Sequence, residues 1–392
     1  MTLALPFTRL PEIEVFAVDA RSVQICWRNQ PPGNLTATCN GSTTFLGDAE
    51  RPGVAEIRDL SPSTTYPIDF HVDDRHVARA TALTAPELSG ELVAKVATFS
   101  DLHLGEESFG LARGIRERPN ARASYPLRCT MAAVHEALSW GADLIVFKGD
   151  ITDTAQPAQW DLFDRVLDEI DVPVLAVPGN HDVVGVAGSV NHKKALQAAG
   201  LSSADVQIHD LDSARVVAVD TTIPTKGSGT FQSRIDGLLS AVDNDRQVLV
   251  LAHHHFEHVP VRYFWPPGIG SKESATVMRD LANANTDIVY SSGHTHRCRS
   301  RQVAGMLVTE VGSVKDHPGV WAGYEIHQGG IRQTLRRVEE PTCVEWTERS
   351  SQAVGGIWGK WSSGSISQRC VSHSWRRGAT RSGFPATMPT TR

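Results

Sequence analysis

The sequence predicts an α/β layered sandwich that is preceded by a smaller all-β sandwich and followed by a C-terminal extension. Three observations support this: the first part of the chain carries only short strand patterns, the middle alternates strand and helix patterns, and the last part is basic and rich in tryptophan. The 392 residues, 41% apolar and 21% charged, have the composition of a globular protein with two or three domains. We place the domains at residues 1–90, 91–338 and 339–392.

The first segment contains short runs of alternating apolar residues separated by turn residues such as Pro31-Pro32-Gly33 and Asn40-Gly41. Regularly spaced short strands without helical patterns are typical of a β-sandwich. The predicted strands are Ile13–Val18, Ser22–Trp27, Leu35–Thr38, Val54–Leu60 and Tyr66–Val72.

The second segment alternates buried strand patterns with helical spacing of apolar residues, which predicts a largely parallel sheet covered by helices. Helices are predicted over Leu127–Trp140 and Ala158–Ile170. The last strand patterns, Met306–Val311 and Tyr324–His327, have no helix between them, so we expect antiparallel strands to join late. The other predicted strands are Leu92–Phe99, Asp143–Phe147, Val172–Val177, Val216–Val219, Val248–Ala252 and Ile288–Tyr290.

The C-terminal extension differs from the rest of the chain in charge and in aromatic content. Residues 341–392 hold seven Lys or Arg and two Asp or Glu, and four of the nine tryptophans lie within 346–375. Disordered segments rarely collect so many aromatic residues. We therefore expect residues 341–375 to pack on the body of the protein and residues 376–392 to be loose and disordered.

Composition and charge make several other classes unfavourable. A net charge of −6 lacks the basic footprint of a general nucleic-acid binder. No apolar run approaches the ~18 residues that cross a bilayer, and the first ten residues show no secretory signal, so we expect a cytoplasmic protein without membrane contact. The six cysteines form no Cys-x-x-Cys pair, which excludes a zinc ribbon and favours free thiols.

Five small polar motifs follow predicted strands of the second segment. Because ligands of α/β sheets bind at the carboxyl ends of the strands, we expect these motifs to meet at one edge. The motifs are Asp101-Leu102-His103, Gly149-Asp150, Gly179-Asn180-His181-Asp182, His253-His254-His255 and Gly293-His294-Thr295-His296.

The residue types in these motifs are those of a metal centre, since Asp and Asn supply oxygen ligands and neutral His supplies nitrogen. Seven candidates are too many for one tetrahedral ion. They suit two divalent ions about 3.5–4 Å apart that share a carboxylate. Mn, Fe and Zn all accept such ligands, so the sequence leaves the metal open. The candidates are Asp101, His103, Asp150, Asn180, His253 or His254, His294 and His296.

The order Asp-x-His, Gly-Asp, Gly-Asn-His-Asp, His and Gly-His-x-His resembles that of the calcineurin-like metallophosphoesterases. The Asp-x-His form is similar to their cyclic-nucleotide and glycerophosphodiester phosphodiesterase branch. The resemblance implies a four-layer α/β/β/α sandwich and a small phosphoester substrate.

The resemblance also implies how the ligands are shared between the two ions. It assigns Asp101, His103 and His296 to the first ion and Asp150 to both. It assigns the second ion to Asn180, His294 and a histidine of the run at 253–255, for which we choose His253 because it directly follows the predicted strand.

The implied reaction is hydrolysis of a small phosphodiester. Two ions lower the pKa of a bridging water from about 15.7 toward about 7, and the hydroxide attacks phosphorus in line. The resemblance implies that His181 contacts the phosphate and is not a ligand. As a histidine it is suited to protonate the leaving group.

The first segment resembles a fibronectin type III module, with Ser22–Trp27 as the strand carrying the core tryptophan and Leu60–Tyr66 as its tyrosine corner. Such a module is a possible surface for a protein partner. A β-sandwich before a dimetal domain is also similar to purple acid phosphatases. Their motifs carry Gly and Tyr where this chain has His103 and Asp153, which argues against that identity.

Three alternatives to the phosphodiesterase remain open. A phosphomonoesterase would use the same residues. A nuclease would need a basic groove, yet the first 340 residues carry 31 Lys and Arg against 42 Asp and Glu, so only the arginines at 113–128 or the tail supply one. An inactive binding scaffold would have lost ligands, whereas every ligand position here holds a competent residue. The sequence does not predict the oligomeric state.

Overall fold

The computed structural model describes residues 10–110, 114–117, 123–242, 246–258 and 265–376. The strands are β1 (Ile13–Val18), β2 (Val23–Trp27), β3 (Asn34–Cys39), β4 (Ser42–Asp48), β5 (Gly53–Ile57), β6 (Thr65–Val72), β7 (Arg75–Leu83), β8 (Leu92–Phe99), β9 (Ser108–Phe109), β10 (Ile115–Arg116), β11 (Leu144–Lys148), β12 (Val174–Val177), β13 (Val206–Asp210), β14 (Ala214–Val219), β15 (Gln247–Ala252), β16 (Ile288–Ser292), β17 (Arg299–Val303), β18 (Met306–Glu310), β19 (Val320–His327), β20 (Gly330–Arg337) and β21 (Cys370–Ser374). The helices are α1 (Tyr125–Trp140), α2 (Pro157–Leu167), α3 (His192–Ala198), α4 (Ile235–Val242), α5 (Ser271–Ala284), α6 (Pro341–Ser350), α7 (Ile357–Ser363) and α8 (Ile366–Arg369), with 3₁₀ turns at Asn180–Val183 and Ala353–Gly356.

The N-terminal module consists of two antiparallel sheets, with strand orders β1-β2-β5 and β4-β3-β6-β7. Trp27 lies in the core between them, and the hydroxyl of Tyr66 accepts a hydrogen bond of 2.8 Å from the backbone of Ser61. Strands β4 and β7 were not predicted because most of their side chains are solvent-accessible, so their sequences lack an alternating apolar pattern.

The larger domain is an α/β/β/α sandwich, which confirms the predicted fold class. Its two six-stranded sheets have the orders β12-β11-β8-β19-β20-β21 and β13-β14-β15-β16-β18-β17. Apolar residues such as Val96, Leu251 and Val289 fill the space between the sheets. Residues of α1, α2 and α6 pack on the outer face of the first sheet, and residues of α4 and α5 on that of the second.

Strand direction brings the two sheets to a common polar edge. Strands β8, β11 and β12 are parallel in the first sheet, and β14, β15, β16 and β18 are parallel in the second. Antiparallel strands complete the first sheet from β19 onward, as predicted for Tyr324–His327. The prediction was wrong for Met306–Val311, because β18 pairs parallel with β16 in the second sheet. No helix in the described ranges is long and apolar enough to cross a membrane.

The described part of the C-terminal extension packs against the rest of the protein. Strand β21 pairs with β20, and Trp375 is buried with its indole N–H donating to the carbonyl of His327. Trp346 of α6 stacks on Tyr125 of α1 with ring centroids 3.8 Å apart. The expectation of a loose tail falls on residues 377–392, which lie outside the described residues.

Buried ion pairs join the three segments. Glu348 of α6 accepts two hydrogen bonds from Arg28 at the end of the module, at 2.8 and 3.0 Å, and one of 2.9 Å from Arg337 at the end of β20. Burial opposes ionisation of Glu348, but Arg337 and Arg28 outweigh it and lower its pKa to about 2. The carboxylate of Glu348, in the extension, therefore binds both the module and the larger domain.

Glu348→Gln is expected to destabilise the protein by about 3–5 kcal/mol at pH 7, because it leaves two buried guanidinium groups without their anion. The pKa of Glu348 in the folded protein, about 2, lies below the ordinary glutamate value of 4.5, so this stabilisation is present above pH 4.5 and is lost as the pH falls toward 2. Urea unfolding at several pH values measures both effects. Glu345→Gln on the same helix, with a half-exposed side chain, is the control, and equal stability of both variants would contradict the prediction.

Candidate metal centre

The five polar motifs lie where the carboxyl edges of the two sheets meet. Those after β8, β11 and β12 come from the first sheet, and those after β15 and β16 come from the second. Five of the seven candidate ligands have backbone in the left-handed region, which L-residues rarely adopt and which accumulates at functional sites. They are Asp101 (φ 57°), His103 (φ 46°), Asp150 (φ 49°), His294 (φ 68°) and His296 (φ 53°).

Two glycines of the motifs allow the loops to approach one another closely. A Cβ at Gly149, which has a φ of 86°, would lie 2.7 Å from both the backbone nitrogen of Gly179 and Nδ1 of His253. A Cβ at Gly293 would lie 1.6 Å from the hydroxyl of Ser100. The space that these glycines leave lets loops of different sheets share one site.

The first group of candidate ligands consists of Asp101, His103 and His296, whose ligand atoms all lie within 4.8 Å of one another. Nε2 of His296 is 3.3 Å from Nε2 of His103 and 3.4 Å from Oδ1 of Asp101. The Asp101 carboxylate also accepts the backbone N–H of His294, which ties the first motif to the last.

The second group consists of Asn180, His253 and His294. Nε2 of His253 lies 3.2 Å from Oδ1 of Asn180 and 3.1 Å from Nδ1 of His294. Asp150 lies between the groups, because its Oδ2 is 3.3 Å from Nε2 of His253 and 3.5 Å from Nε2 of His103. The structure thus brings all seven predicted ligand residues into one cluster.

The hydrogen bonds of three imidazoles determine which nitrogen carries the proton. Nδ1 of His253 donates to the carbonyl of Lys148 at 2.9 Å, and Nε2 of His294 donates to that of Pro267 at 3.0 Å. Nδ1 of His296 donates to Oδ2 of Asp316 at 2.7 Å. In the neutral rings the other nitrogen then carries a lone pair that faces the cluster.

The imidazole lone pairs and the carboxylate oxygens face one another within 3.5 Å and would repel each other in the absence of a positive charge. A divalent cation bound between them would be coordinated by these atoms and would remove the repulsion. The donor set of imidazole, carboxylate and amide oxygen suits Zn, Mn or Fe. The residues present therefore fit the two metals that the resemblance implies.

Burial and charge have opposite effects on the histidine pKa values. Burial lowers the pKa of His103 and His294 well below 6.5, which keeps these rings neutral and able to bind a metal. Burial acts in the same direction on His253, but the negative charge of Asp150 outweighs it and raises the His253 pKa to about 9. The negative charge of Asp150 therefore favours a positive charge beside it, such as that of a proton or a metal ion.

His181 lies at the edge of the cluster with its side chain 39% exposed. Its backbone N–H donates to Oδ1 of Asp150 at 2.8 Å, and its Nδ1 donates to the carbonyl of Asp153 at 2.7 Å. The ring packs edge-on against His103, with centroids 4.4 Å apart. Its Nε2 is thus the nitrogen free to exchange a proton.

Asp182 fixes the loops of the second and third motifs to each other by hydrogen bonds. Its buried carboxylate accepts the backbone N–H groups of Ile151, Thr152 and Gly179 at 2.8–3.0 Å, together with the Thr152 hydroxyl. These bonds join the second and third motifs and so fix Asp150 relative to Asn180.

The neighbouring histidines differ in position from His253. His254 is fully buried, its Nδ1 is 2.8 Å from the hydroxyl of Thr221, and its Nε2 has no hydrogen-bond partner among the described residues. His254 lies within ligand distance of His253 and His294, but Asp150 and Asn180 face His253. His255 stacks on His294, with centroids 5.8 Å apart.

Sequence reasoning missed two residues that support the ligands. Asp316 is fully buried and binds His296, and Lys148 is fully buried and donates to the hydroxyl of Ser291 at 2.9 Å and the carbonyl of Ser292 at 3.1 Å. Asp316 lies in the loop after β18 rather than directly at the end of the strand, so its position did not mark it as the positions of the motifs marked them. Lys148 lies within a strand, which also carries no signal.

The arginines at 113–128, which a nuclease would need for a basic groove, are only partly described, and one of them is already paired with an acidic side chain. Arg128 pairs with Glu117 at 2.6 Å and donates to the carbonyl of Ala123. The arginines at 113, 118 and 122 lie outside the described residues.

Residues 94–298, just over half of the chain, match the family model of calcineurin-like phosphoesterases. The chain therefore belongs to the calcineurin-like phosphoesterase family. Its fold and its buried His and Asp cluster agree with that membership.

Curated relatives cover only part of this chain. It is 25% identical over 193 residues to a probable cyclic nucleotide phosphodiesterase of Psychrobacter arcticus, covering 45% of this chain and 66% of the relative. It is 27% identical over 167 residues to a probable glycerophosphodiester phosphodiesterase of Arcobacter nitrofigilis, covering 40% and 57%. The chain thus spans less than two thirds of the length of either relative.

The chain is also similar to the solved structure of a purple acid phosphatase from yellow lupin seeds. The TM-score is 0.46 at 14% identity, covering 84% of this chain and 72% of that one.

Proposed function

We propose that this protein is a dimetal-dependent phosphodiesterase that hydrolyses small phosphodiesters. One observation carries the proposal: Asp150 lies between a group of Asp101, His103 and His296 and a group of Asn180, His253 and His294. Each group supplies donors for one divalent ion, with the Asp150 carboxylate shared. When bound, the ions supply Lewis-acid chemistry that activates water and neutralises charge on the phosphate.

The protein itself orients the ligands and excludes alternative tautomers. The carbonyl groups of Lys148 and Pro267 hold His253 and His294 with their free nitrogens toward the site. Asp316 does the same for His296. Because these anchors are backbone carbonyls or a buried carboxylate, the ligand set is preorganised before substrate binds.

His181 is the proposed general acid. The carbonyl of Asp153 accepts its Nδ1–H and so leaves Nε2 as the atom that transfers a proton. A proton on Nε2 would pass to the leaving oxygen as its bond to phosphorus breaks. The partial exposure of the side chain gives a substrate access to this atom.

The preference for diesters rests on the two relatives described above, both of which are named as probable phosphodiesterases. A phosphomonoesterase is the competing proposal, because nothing in the set of candidate ligands distinguishes a phosphomonoester substrate from a phosphodiester substrate.

Hydrolysis of bis-p-nitrophenyl phosphate and of p-nitrophenyl phosphate tests the proposal directly. EDTA-stripped protein is reloaded with Mn²⁺, Zn²⁺ or Fe²⁺, and the metal content is measured in parallel. We expect preferred cleavage of the diester, restored by about two ions per chain. Preferred cleavage of the monoester would favour the phosphomonoesterase. Two bound ions with neither ester cleaved would favour a binding scaffold, and salt-dependent oligonucleotide binding would favour a nuclease.

We further infer that the N-terminal module is fibronectin type III-like and offers a surface for a protein partner. Its seven strands in sheets of three and four, with the Tyr66 hydroxyl bonded at a corner, support the first part. We also propose a cytoplasmic location. The six free thiols are consistent with a reducing compartment.

A further inference from the structure

A loop between β18 and β19 lies behind the candidate ligand His296, and the C-terminal extension holds three successive residues of that loop. The indole of Trp346 donates to the carbonyl of Lys315 at 2.7 Å. The indole of Trp358 donates to Oδ1 of Asp316 at 3.3 Å. The backbone N–H of His317 donates to the hydroxyl of Ser350 at 2.8 Å, and its ring contacts the hydroxyl of Ser363 at 3.0 Å.

Asp316 connects this loop to the cluster. Its Oδ2 accepts Nδ1–H of His296 at 2.7 Å, while its Oδ1 accepts the indole N–H of Trp358. Nζ of Lys315 lies 3.5 Å from Oδ2. Because the side chain is fully buried, its orientation depends on these partners rather than on water.

Trp358 is held in place by other aromatic rings. Its ring centroid lies 6.4 Å from that of His296, 5.8 Å from Phe109 and 6.0 Å from Trp361. The backbone N–H of Cys298, two residues after His296, donates to the carbonyl of Ser362 in α7, the helix that carries Trp358. Helix α7 therefore contacts the last motif through the Trp358 ring and the segment just after that motif through its backbone.

We propose that the C-terminal extension supports the metal centre by orienting one of its ligands. Trp358 is the positioning residue, and it acts on His296 through Asp316. The inference rests on the proposed function in one respect, namely that His296 is a metal ligand. The indole N–H fixes one carboxylate oxygen, so the other oxygen stays aligned with Nδ1 of His296. That alignment keeps the proton on Nδ1 and the Nε2 lone pair toward the metal.

The proposal predicts graded losses of metal affinity. Asp316→Asn removes the charge that polarises His296 and should weaken the affinity of one of the two sites about 10–100-fold. Trp358→Phe keeps an aromatic ring but removes the N–H, and should weaken the same site about fivefold. Since Trp358 acts through Asp316, the double variant should bind no more weakly than Asp316→Asn alone.

Competition of the full chain with a chromophoric chelator for Zn²⁺ measures these affinities. The visible spectrum of Co²⁺-loaded protein reports the coordination of the ion without any assay of activity. Trp375→Phe is the matched control, because Trp375 lies in the same extension and donates its indole N–H to a backbone carbonyl at 3.0 Å. We expect the control to bind both ions as the wild type does.

Unchanged affinity and Co²⁺ spectrum in Trp358→Phe would overturn the proposal, as would fully additive losses in the double variant. If the wild type bound no metal, the proposed function would fail instead, so the two failures are distinguishable. Melting of the metal-free variants reports whether they fold. If Trp358→Phe does not fold, ¹⁵N spectra of the indole N–H groups in the wild type test the proposal instead. Addition of Zn²⁺ should shift the Trp358 resonance but not that of Trp375. An unshifted Trp358 resonance would overturn the proposal.

Discussion

Asp150→Ala is expected to abolish hydrolysis and metal loading together, with a loss of activity of about 10³-fold or more. The carboxylate lies within 3.5 Å of a histidine in each candidate ligand group, so its removal takes a donor from both groups. Its pKa is held well below 3.8 because, although burial acts in the opposite direction, the charges of His253 and His181 dominate, so the group is a carboxylate at neutral pH. Metal analysis and ester hydrolysis on the same preparation measure both effects.

Two further variants make the Asp150 result interpretable. Asp150→Asn keeps the size of the side chain and an acceptor for the His181 N–H, so it separates loss of charge from loss of packing. Asp161→Ala removes an exposed carboxylate from α2 and should leave activity and metal content unchanged. Full activity of Asp150→Ala with two bound ions would rule out the shared-carboxylate assignment.

His181→Ala is expected to keep both ions but to slow turnover by about 10²–10⁴-fold for substrates with poor leaving groups. The reason is that His181 donates its backbone N–H to Asp150 and its Nδ1–H to the carbonyl of Asp153, so its ring is anchored outside the two proposed ligand groups although it lies within ligand distance of His103 and Asp150. For p-nitrophenolate, which leaves without a proton, the loss should be much smaller. A series of aryl and alkyl diesters therefore measures the effect as a slope against leaving-group pKa.

His135→Ala is the matched control for His181→Ala, since that histidine is half-exposed on α1 and bonded to Glu169 away from the cluster. An equal loss for all leaving groups in His181→Ala would contradict the role of general acid. Loss of metal would instead make His181 a structural residue of the site.

The polar motifs could be located from sequence because they follow buried parallel strands. Strands of this kind carry continuous apolar runs, such as Val248–Ala252, so their carboxyl ends are visible and the residues beyond them fall at one edge. The same logic placed His253 directly after β15. The structure puts it beside Asp150, with His254 directed toward Thr221.

The supporting residues could not be predicted in the same way, because their roles depend on contacts between distant parts of the chain. Nothing local to Asp316 distinguishes it from a turn residue, and its partner Trp358 lies in the extension. In the sequence, Lys148 is a charged residue that interrupts an apolar strand. In the structure, its amine donates hydrogen bonds inside the core to Ser291 and Ser292 of the neighbouring sheet. Pairings between sheets leave no periodic signal in either partner.

The pairing of β19 with β8 has a consequence for how this protein is made. Thr98, just before the first motif, pairs with Ala322, and β20 and β21 then add to the same sheet. Strand β19 lies far along the chain from β8, and contacts so distant in sequence form slowly. We therefore expect the first motif to take its final position only after β19 has been synthesised and has paired with β8. If the proposed function is right, the candidate ligands bind metal only after that pairing.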